Sequence, residues 1–317
     1  MSTQFAEVSW GGRLLKVRAA SVNGLTIVVL GKWLKTAVIK DETWLPAAAV
    51  GDADSLVAAV RRERLGADLF HFSQKEYGAQ PAFDYFLEWQ NVAAIRLGSY
   101  ADWWEKLSQA TRRNVRIAER RGVIIRQAPL DDQMIAGIVE INNEIPVRQG
   151  RRFWHYGKGF EAVKKDYSDM LERSEFLGAY CGNELVGILR LMDTGENAGI
   201  MQLLCKNAHF DKRPANALIA KAVELCAGRG KKYLTHHQYH YGNDTDSSLT
   251  EFKRRNGFEP FSFPSYYVPL TAKGRTALAL NMHKGLKPLA PQWVKKTARG
   301  LRTRIYAKAM PAGGDNA

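Results

Sequence analysis

Between residues 176 and 206 the chain carries three apolar runs in close succession, 176–181, 185–192 and 200–206. Gly182-Asn183 supplies a tight turn that folds the first run back on the second, so the three predict an antiparallel sheet. Helical patterns surround them. Residues 131–141 and 161–172 precede the strands, and a helix opens at Pro214, a good first-turn residue, running through NALIAKAVELCAG. A strand at 232–239, a short helix ending at Asn256-Gly257 and two short strands around Phe258 and 266–270 complete the pattern. This order predicts an α+β fold, a mixed sheet flanked by helices.

The first hundred residues use similar parts. Short strands are expected at 14–18, 25–30, 36–40, 68–72 and 92–97, with Gly11-Gly12, Asn23-Gly24 and Gly31 as turns. Residues 54–65 place Leu56, Val57, Val60 and Leu65 at helical spacing behind an Asp cap. One long helix is expected from Ser99 to Gly122, with Trp103, Trp104, Leu107, Val115 and Ala118 as its apolar stripe, followed by a strand at 123–127. Repetition of these parts on either side of Pro129 predicts two lobes, 1–128 and 129–270, sharing a cleft near the 111–121 helix. Residues 271–317 contain Pro288, Pro291 and Pro311 and read as a basic helical tail outside the core.

Charge narrows the function. The 317 residues hold 46 Lys+Arg against 32 Asp+Glu, a net +14, which favours polyanionic partners. The tail alone has ten Lys+Arg and one acid, so the body is only mildly basic. Cys181, Cys205 and Cys226 lie far apart without metal-ligand spacing, so neither a disulfide framework nor a zinc site is suggested. No apolar run approaches the ~20 residues needed to span a bilayer. The opening MSTQFAEVSWGG lacks the basic and apolar regions of a signal peptide, so a cytoplasmic location is expected, with peripheral attachment at a membrane's inner face open to the tail.

Three clusters carry chemistry. In 235–241 (THHQYHY), strand alternation would put Thr235, His237 and Tyr239 on one face and His236, Gln238 and His240 on the other. His237 titrates in the range of a general base, and Tyr239 and Tyr241 stand beside it. The loop 142–160 pairs cations with aromatics: Arg148, Arg152, Trp154 and Tyr156 suit a phosphorylated or nucleotide-bearing ligand. Arg112, Arg116 and Arg120 recur every four residues as a stripe suited to solvent or to a phosphate backbone. The tail segment 292–308, with Trp293, Val294, Leu301, Ile305 and Tyr306 among its cations, can lie on an anionic membrane, bind nucleic acid or pack on the body.

Two segments add a resemblance covering about residues 90–270. TRRNVRIAERRGV at 111–123 resembles the TRRNIRKAEKKGV signature of Fem-type aminoacyl transferases. SSLTEFKRRNGFEP at 247–260 resembles both that family's FK element and the FYEKLGF element of GNAT acetyltransferases. The resemblance implies two GNAT-like lobes in tandem, with the reaction centre in the second. It also implies acyl or aminoacyl transfer, from acyl-CoA or aminoacyl-tRNA, to an amino group of a carbohydrate, peptide or cell-envelope precursor, with no tightly bound cofactor. The donor loop would fall on 211–216, which places Lys212, Arg213 and Asn216 at the donor. Here the chain departs from the GNAT pattern: the loop has no glycine, and Pro214 removes a donor amide. Lys253 stands where GNAT enzymes carry an acidic tyrosine and Fem-type proteins a lysine, which implies a cation at the reacting carbonyl or phosphate. The reading from another class is a non-catalytic protein that binds nucleic acid or anionic membrane through its basic surfaces.

Overall fold

A computed structural model describes residues 4–10, 13–148, 151–240 and 247–285. Its first half opens with β1 (Gln4–Trp10), β2 (Arg13–Val22), β3 (Leu25–Leu30) and β4 (Thr36–Ile39). Helix α1 (Ala53–Glu63), β5 (Leu69–Ser73) and β6 (Phe86–Arg96) follow. Asp52 caps α1 by accepting from the amides of Asp54 and Ser55, and Leu56, Val57 and Val60 turn inward. The long helix expected from Ser99 is two, α2 (Tyr100–Lys106) and α3 (Gln109–Arg120). Ser99 forms a capping box with Asp102, and Ser108 caps α3 through the Thr111 amide, so the second serine restarts the helix.

The chain continues with β7 (Val123–Ala128), α4 (Asp132–Asn143) and the hairpin β8 (Val147–Arg148) and β9 (Arg151–Arg152). Next come α5 (Phe160–Ser168), β10 (Ser174–Cys181), β11 (Glu184–Asp193), β12 (Ala198–Cys205) and α6 (Pro214–Gly228). The described part ends with β13 (Tyr233–Thr235), α7 (Ser248–Arg255), β14 (Glu259–Pro269) and α8 (Ala272–Ala279).

Twelve strands form one mixed sheet in the order β1-β2-β3-β4-β5-β14-β6-β13-β12-β11-β10-β7. Two neighbouring pairs, β4 with β5 and β12 with β13, are parallel; the others are antiparallel. The sheet crosses residue 128 in both directions. β7 pairs with β10 at the far edge, while β14 returns to lie between β5 and β6. The two short strands expected around Phe258 and 266–270 are this one strand. Pro260 and Pro264 sit within it, and β14 still pairs along both edges.

Helices cover both faces of the second half. Leu177, Leu189 and Leu191 meet Leu218, Ile219, Ala222 and Val223 of α6 in the largest core, while Phe176 and Ile188 meet Met134, Ile135, Ile138 and Tyr167 of α4 and α5. Strand alternation produces this division, since Phe176 and Leu177, like Ile188 and Leu189, face opposite ways. A third core joins β2 to β5, α1 and the end of β14. Each buried Leu, Ile or Val contributes about 1.5–3 kcal/mol.

The expected tail begins as part of the body. Gly274, Ala277 and Leu278 are buried, the carboxylate of Asp68 binds Thr271 and Lys273, and His283 meets Glu88 at 2.8 Å. Residues 271–285 are therefore docked chain. The remainder of the tail, 286–317, lies outside the described residues.

Candidate active cleft

β12 and β13 pair only at Ala198 with Leu234 and at Gly199 with Thr235. Past that point they part. His236 donates its amide to Ala93 O and Ala93 returns one to His237 O, both at 2.8 Å, so the chain after β13 follows β6. β12 instead follows β11 through a bulge. Arg190 faces Gln202 and Leu191 faces Ile200, leaving Met201 over.

His237 spans the gap, with Nε2 3.0 Å from Met201 O. A carbonyl only accepts, so Nε2 carries the proton and Nδ1 is the basic nitrogen. The backbone of His237 is left-handed, at φ 51. That conformation ends the strand expected at 232–239 after Thr235 and breaks its alternation. His237 is open to the cleft, while Tyr239 is buried in the main core, where burial raises its pKa. The amides of Tyr239 and His240 both donate to Asn91 Oδ1 at 2.8 Å, holding the turn to β6.

Beneath that turn lies Lys253 of α7, fully buried, with Nζ donating to Gln238 O at 2.5 Å. Burial pushes its ammonium down to about 8. Although its edge is open, desolvation of the His237 ring lowers its pKa as well; the bond to Met201 O opposes that shift and the Lys253 charge adds to it. His236, buried and next to both groups, is held well below the ordinary imidazole value. The imidazoles are therefore neutral near pH 7, as a base acting on an ammonium must be.

One wall comes from the first half of the chain. Trp44 packs edge-on against His237, ring centroids 5.7 Å apart. It also lies so close to β12 that a side chain at Gly199 would meet its ring at 2.9 Å. Cations hold this wall by its carbonyls: Lys75 binds those of Glu42 and Leu45, and Arg173 binds those of Trp44 and Asp193. Glu42 accepts from the Ser73 amide at 2.7 Å. Burial raises its carboxyl to about 7 and lowers the Lys75 ammonium to about 8.

The loop 142–160 is fastened at the end of β12. Arg148 donates to Cys205 O at 3.1 Å and to Ile141 O at 2.7 Å, and lies 4.5 Å over the Phe153 ring. Its guanidinium is thereby engaged in holding the loop. Glu144 takes the amides of Asn207 and Ala208 at 2.6 and 2.8 Å. Arg152, Trp154 and Tyr156 are exposed, and Lys158 covers the Trp154 ring at 4.9 Å. Of the expected donor residues, Lys212 donates to Cys181 Sγ at 3.6 Å. Asn216 is buried against Asn256 Oδ1 at 2.9 Å. Arg213 is exposed at the start of α6 in a left-handed conformation, φ 58. Tyr241 lies outside the described residues.

The fold thus brings His237 and Lys253 together at the parted strands and sends Tyr239 and Asn216 into the packing. It also places polar groups that the sequence reading missed. Arg190 is fully buried and donates to Asp169 O and Ser174 Oγ. Among the described residues its Nη1, the Tyr167 hydroxyl and Gln202 Oε1 find no hydrogen-bond partner. An arginine inside ELVGILRLMD was the available signal, because a charge in a buried strand is costly. Among the described residues no cluster of His, Cys, Asp or Glu could hold a metal ion, and no helix is long and apolar enough to cross a membrane.

This mixed sheet has the fold seen in FemX and in lysylphosphatidylglycerol synthetase structures. FemX aligns at a TM-score of 0.56 and 10% identity, over 83% of this chain and 87% of its own. L-PGS from Bacillus licheniformis aligns at 0.52 and 13%, over 84% and 88%. The C-terminal domain of an Agrobacterium fabrum protein described as a lysylphosphatidylglycerol synthetase aligns at 0.51 and 14%, over 85% and 89%. The sequence matches no protein-family model and no curated protein.

Proposed function

We propose that the chain is an acyltransferase that moves an aminoacyl or acyl group from an activated donor to an amino group of a carbohydrate, peptide or cell-envelope precursor. The observation that carries this reading is the convergence of a neutral His237 and the Lys253 ammonium where β12 and β13 part. His237 Nδ1 takes a proton from the acceptor ammonium. The freed amine attacks the donor carbonyl, a C–N bond forms and the C–O or C–S bond breaks. The proton held by His237 passes to the departing oxygen or sulfur, and the second proton that the nitrogen sheds on becoming an amide is released to water. The positive field of Lys253 lowers the energy of the negative charge that builds on the carbonyl oxygen. Trp44, packed against His237, limits the space open to the reactants.

Of the two donors, aminoacyl-tRNA suits the chain better. A 3-10 turn, Asn207–Lys212, runs into Pro214 where a glycine-rich pyrophosphate cradle would be needed for coenzyme A. On α3, Arg113, Arg116 and Arg120, with Glu119 among them, line an open groove of about 760 Å³ whose cations outnumber its acid and suit phosphates. The fold likeness to proteins named for aminoacyl transfer to phosphatidylglycerol supports the same donor class.

The test incubates the protein with labelled aminoacyl-tRNA or labelled acyl-CoA and a panel of amine-bearing envelope precursors, and follows the label by mass spectrometry. Transfer from aminoacyl-tRNA that His237→Gln abolishes is expected. Transfer from acyl-CoA alone would reassign the donor. Salt-sensitive tRNA binding with no transfer to any acceptor would leave the non-catalytic reading standing.

A further inference from the structure

At one end of the sheet, apolar side chains that belong in a core stand in solvent. The arms of the β1–β2 hairpin and the 31–35 turn joining β3 to β4 leave the sheet at this end, because Trp10 pairs with Arg13 and Leu30 with Thr36 there. Leu14 is 53% exposed, Leu15 41% and Trp33 58%. Leu14 and Leu15 are consecutive in a strand and point to opposite faces, so neither face of this arm is covered. Trp33 is held outward: Lys273 of α8 donates to its carbonyl and lies 5.0 Å over its ring.

The charges around these side chains are mainly positive. Lys16, Lys32, Lys35, Arg64 and Lys273 are exposed at this end. Asp68, beside Lys35 and Lys273, is buried and accepts from the Lys35 amide, Thr271 and Lys273. Glu7, directly opposite Lys16 in the β1–β2 register, is held by Lys165 of α5 at 3.6 Å. An indole and two leucines ringed by flexible cations match a bilayer interface, where apolar groups enter the acyl boundary and ammonium groups meet lipid phosphates. RNA would complement the charges but would gain little from Leu14 and Leu15. A protein partner would complement the leucines but needs acids to answer five cations.

We propose that this end, through Leu14, Leu15 and Trp33 within their ring of lysines, docks the protein on an anionic lipid surface. The inference does not depend on the acyl-transfer reading. It names a membrane contact in the first part of the chain, separate from the basic segment 286–317.

The test uses the full chain, so that 286–317 stays in place, and vesicles of phosphatidylglycerol with phosphatidylcholine or of phosphatidylcholine alone. Binding to the anionic vesicles and far weaker binding to the neutral ones is expected. Leu14→Ser with Trp33→Ser should weaken anionic binding roughly tenfold, as should Lys32→Glu with Lys35→Glu, since each pair removes one of the two contributions. All four positions are exposed, so both variants should keep the wild-type circular dichroism and unfolding midpoint. Unchanged vesicle binding in both pairs would overturn the proposal and move any membrane contact elsewhere. So would a self-associated wild type that the Leu14/Trp33 pair converts to monomer, because the patch would then be an interface between copies. Single-stranded RNA binding lost in the lysine pair, without vesicle binding by wild type, would overturn it in favour of RNA.

Discussion

The imidazole of His237 bridges two strands that have stopped pairing, its Nε2 3.0 Å from the carbonyl of Met201. A bulge frees that carbonyl and a left-handed residue aims the ring. The bond fixes the tautomer and leaves Nδ1 as the basic nitrogen. His237→Gln should therefore reduce transfer by roughly 10²-fold or more, the range for loss of a general base. The change should move stability by no more than about 1 kcal/mol, since a single hydrogen bond is lost. Initial rates and a urea midpoint check the two halves separately.

Lys253→Met keeps length and helix propensity while removing the charge under the turn. Turnover should fall roughly 10²-fold, as for loss of one oxyanion donor. The pH profile supplies a second readout. The ammonium titrates at about 8, so wild-type activity should decline as pH rises through that value. The residual activity of the variant should lack this limb. A variant with the same alkaline limb would place the titration on another group.

His155 is buried between Phe153 and Trp154, with ring centroids 5.3 and 4.0 Å away, and burial lowers its pKa to about 4 from 6.5. Between those values the unfolded chain binds a proton that the folded chain refuses. Its contribution is thus intact above pH 6.5 and lost as pH falls toward 4. The 2.5-unit gap amounts to about 3 kcal/mol. His155→Phe should keep the ring packing and flatten the stability curve over that window by this amount. His71, also lowered to about 4 by burial, leaves a residual slope. Urea unfolding at pH 7 and pH 4.5 measures the difference.

Gly274 sits against the start of β5, where an added Cβ would come within 1.9 Å of Asp68 O. The obstacle is backbone, so Gly274→Ala must shift α8 and should cost about 1–3 kcal/mol. Deletion of 275–317 removes the buried Ala277, Leu278 and His283 contacts and should lower the thermal midpoint by several degrees or more. A midpoint unchanged by both alterations would return residues 272–285 to a detachable tail.

Much of the local architecture was legible in the residues. Helix α6 could be placed from Pro214 and its apolar stripe, and the β10–β11 turn from Gly182-Asn183, because caps, turns and periodicity are properties of neighbouring residues. The likeness of 111–123 and 247–260 to Fem-type signatures pointed to the fold. The single helix expected from Ser99 failed for a local reason as well, since Ser108 is a second cap.

The cleft itself was decided by tertiary structure. His71 and Ser265 meet at 2.6 Å although 194 residues separate them, because β14 returns to the first half of the sheet. No local pattern encodes such a pairing. Nor did alternation through 235–241 reveal that β13 ends at Thr235, since that ending depends on Ala93 and Asn91 of β6 holding the following residues. This distant hydrogen bonding buries Tyr239 and leaves His237 open to the cleft. Local residues placed most helices and strands, though not β1, the break before α3 or the early end of β13, and they showed which groups were at hand for chemistry. Which of them face one another across the parted strands follows from contacts between residues far apart in the chain, satisfied together only in the folded sheet.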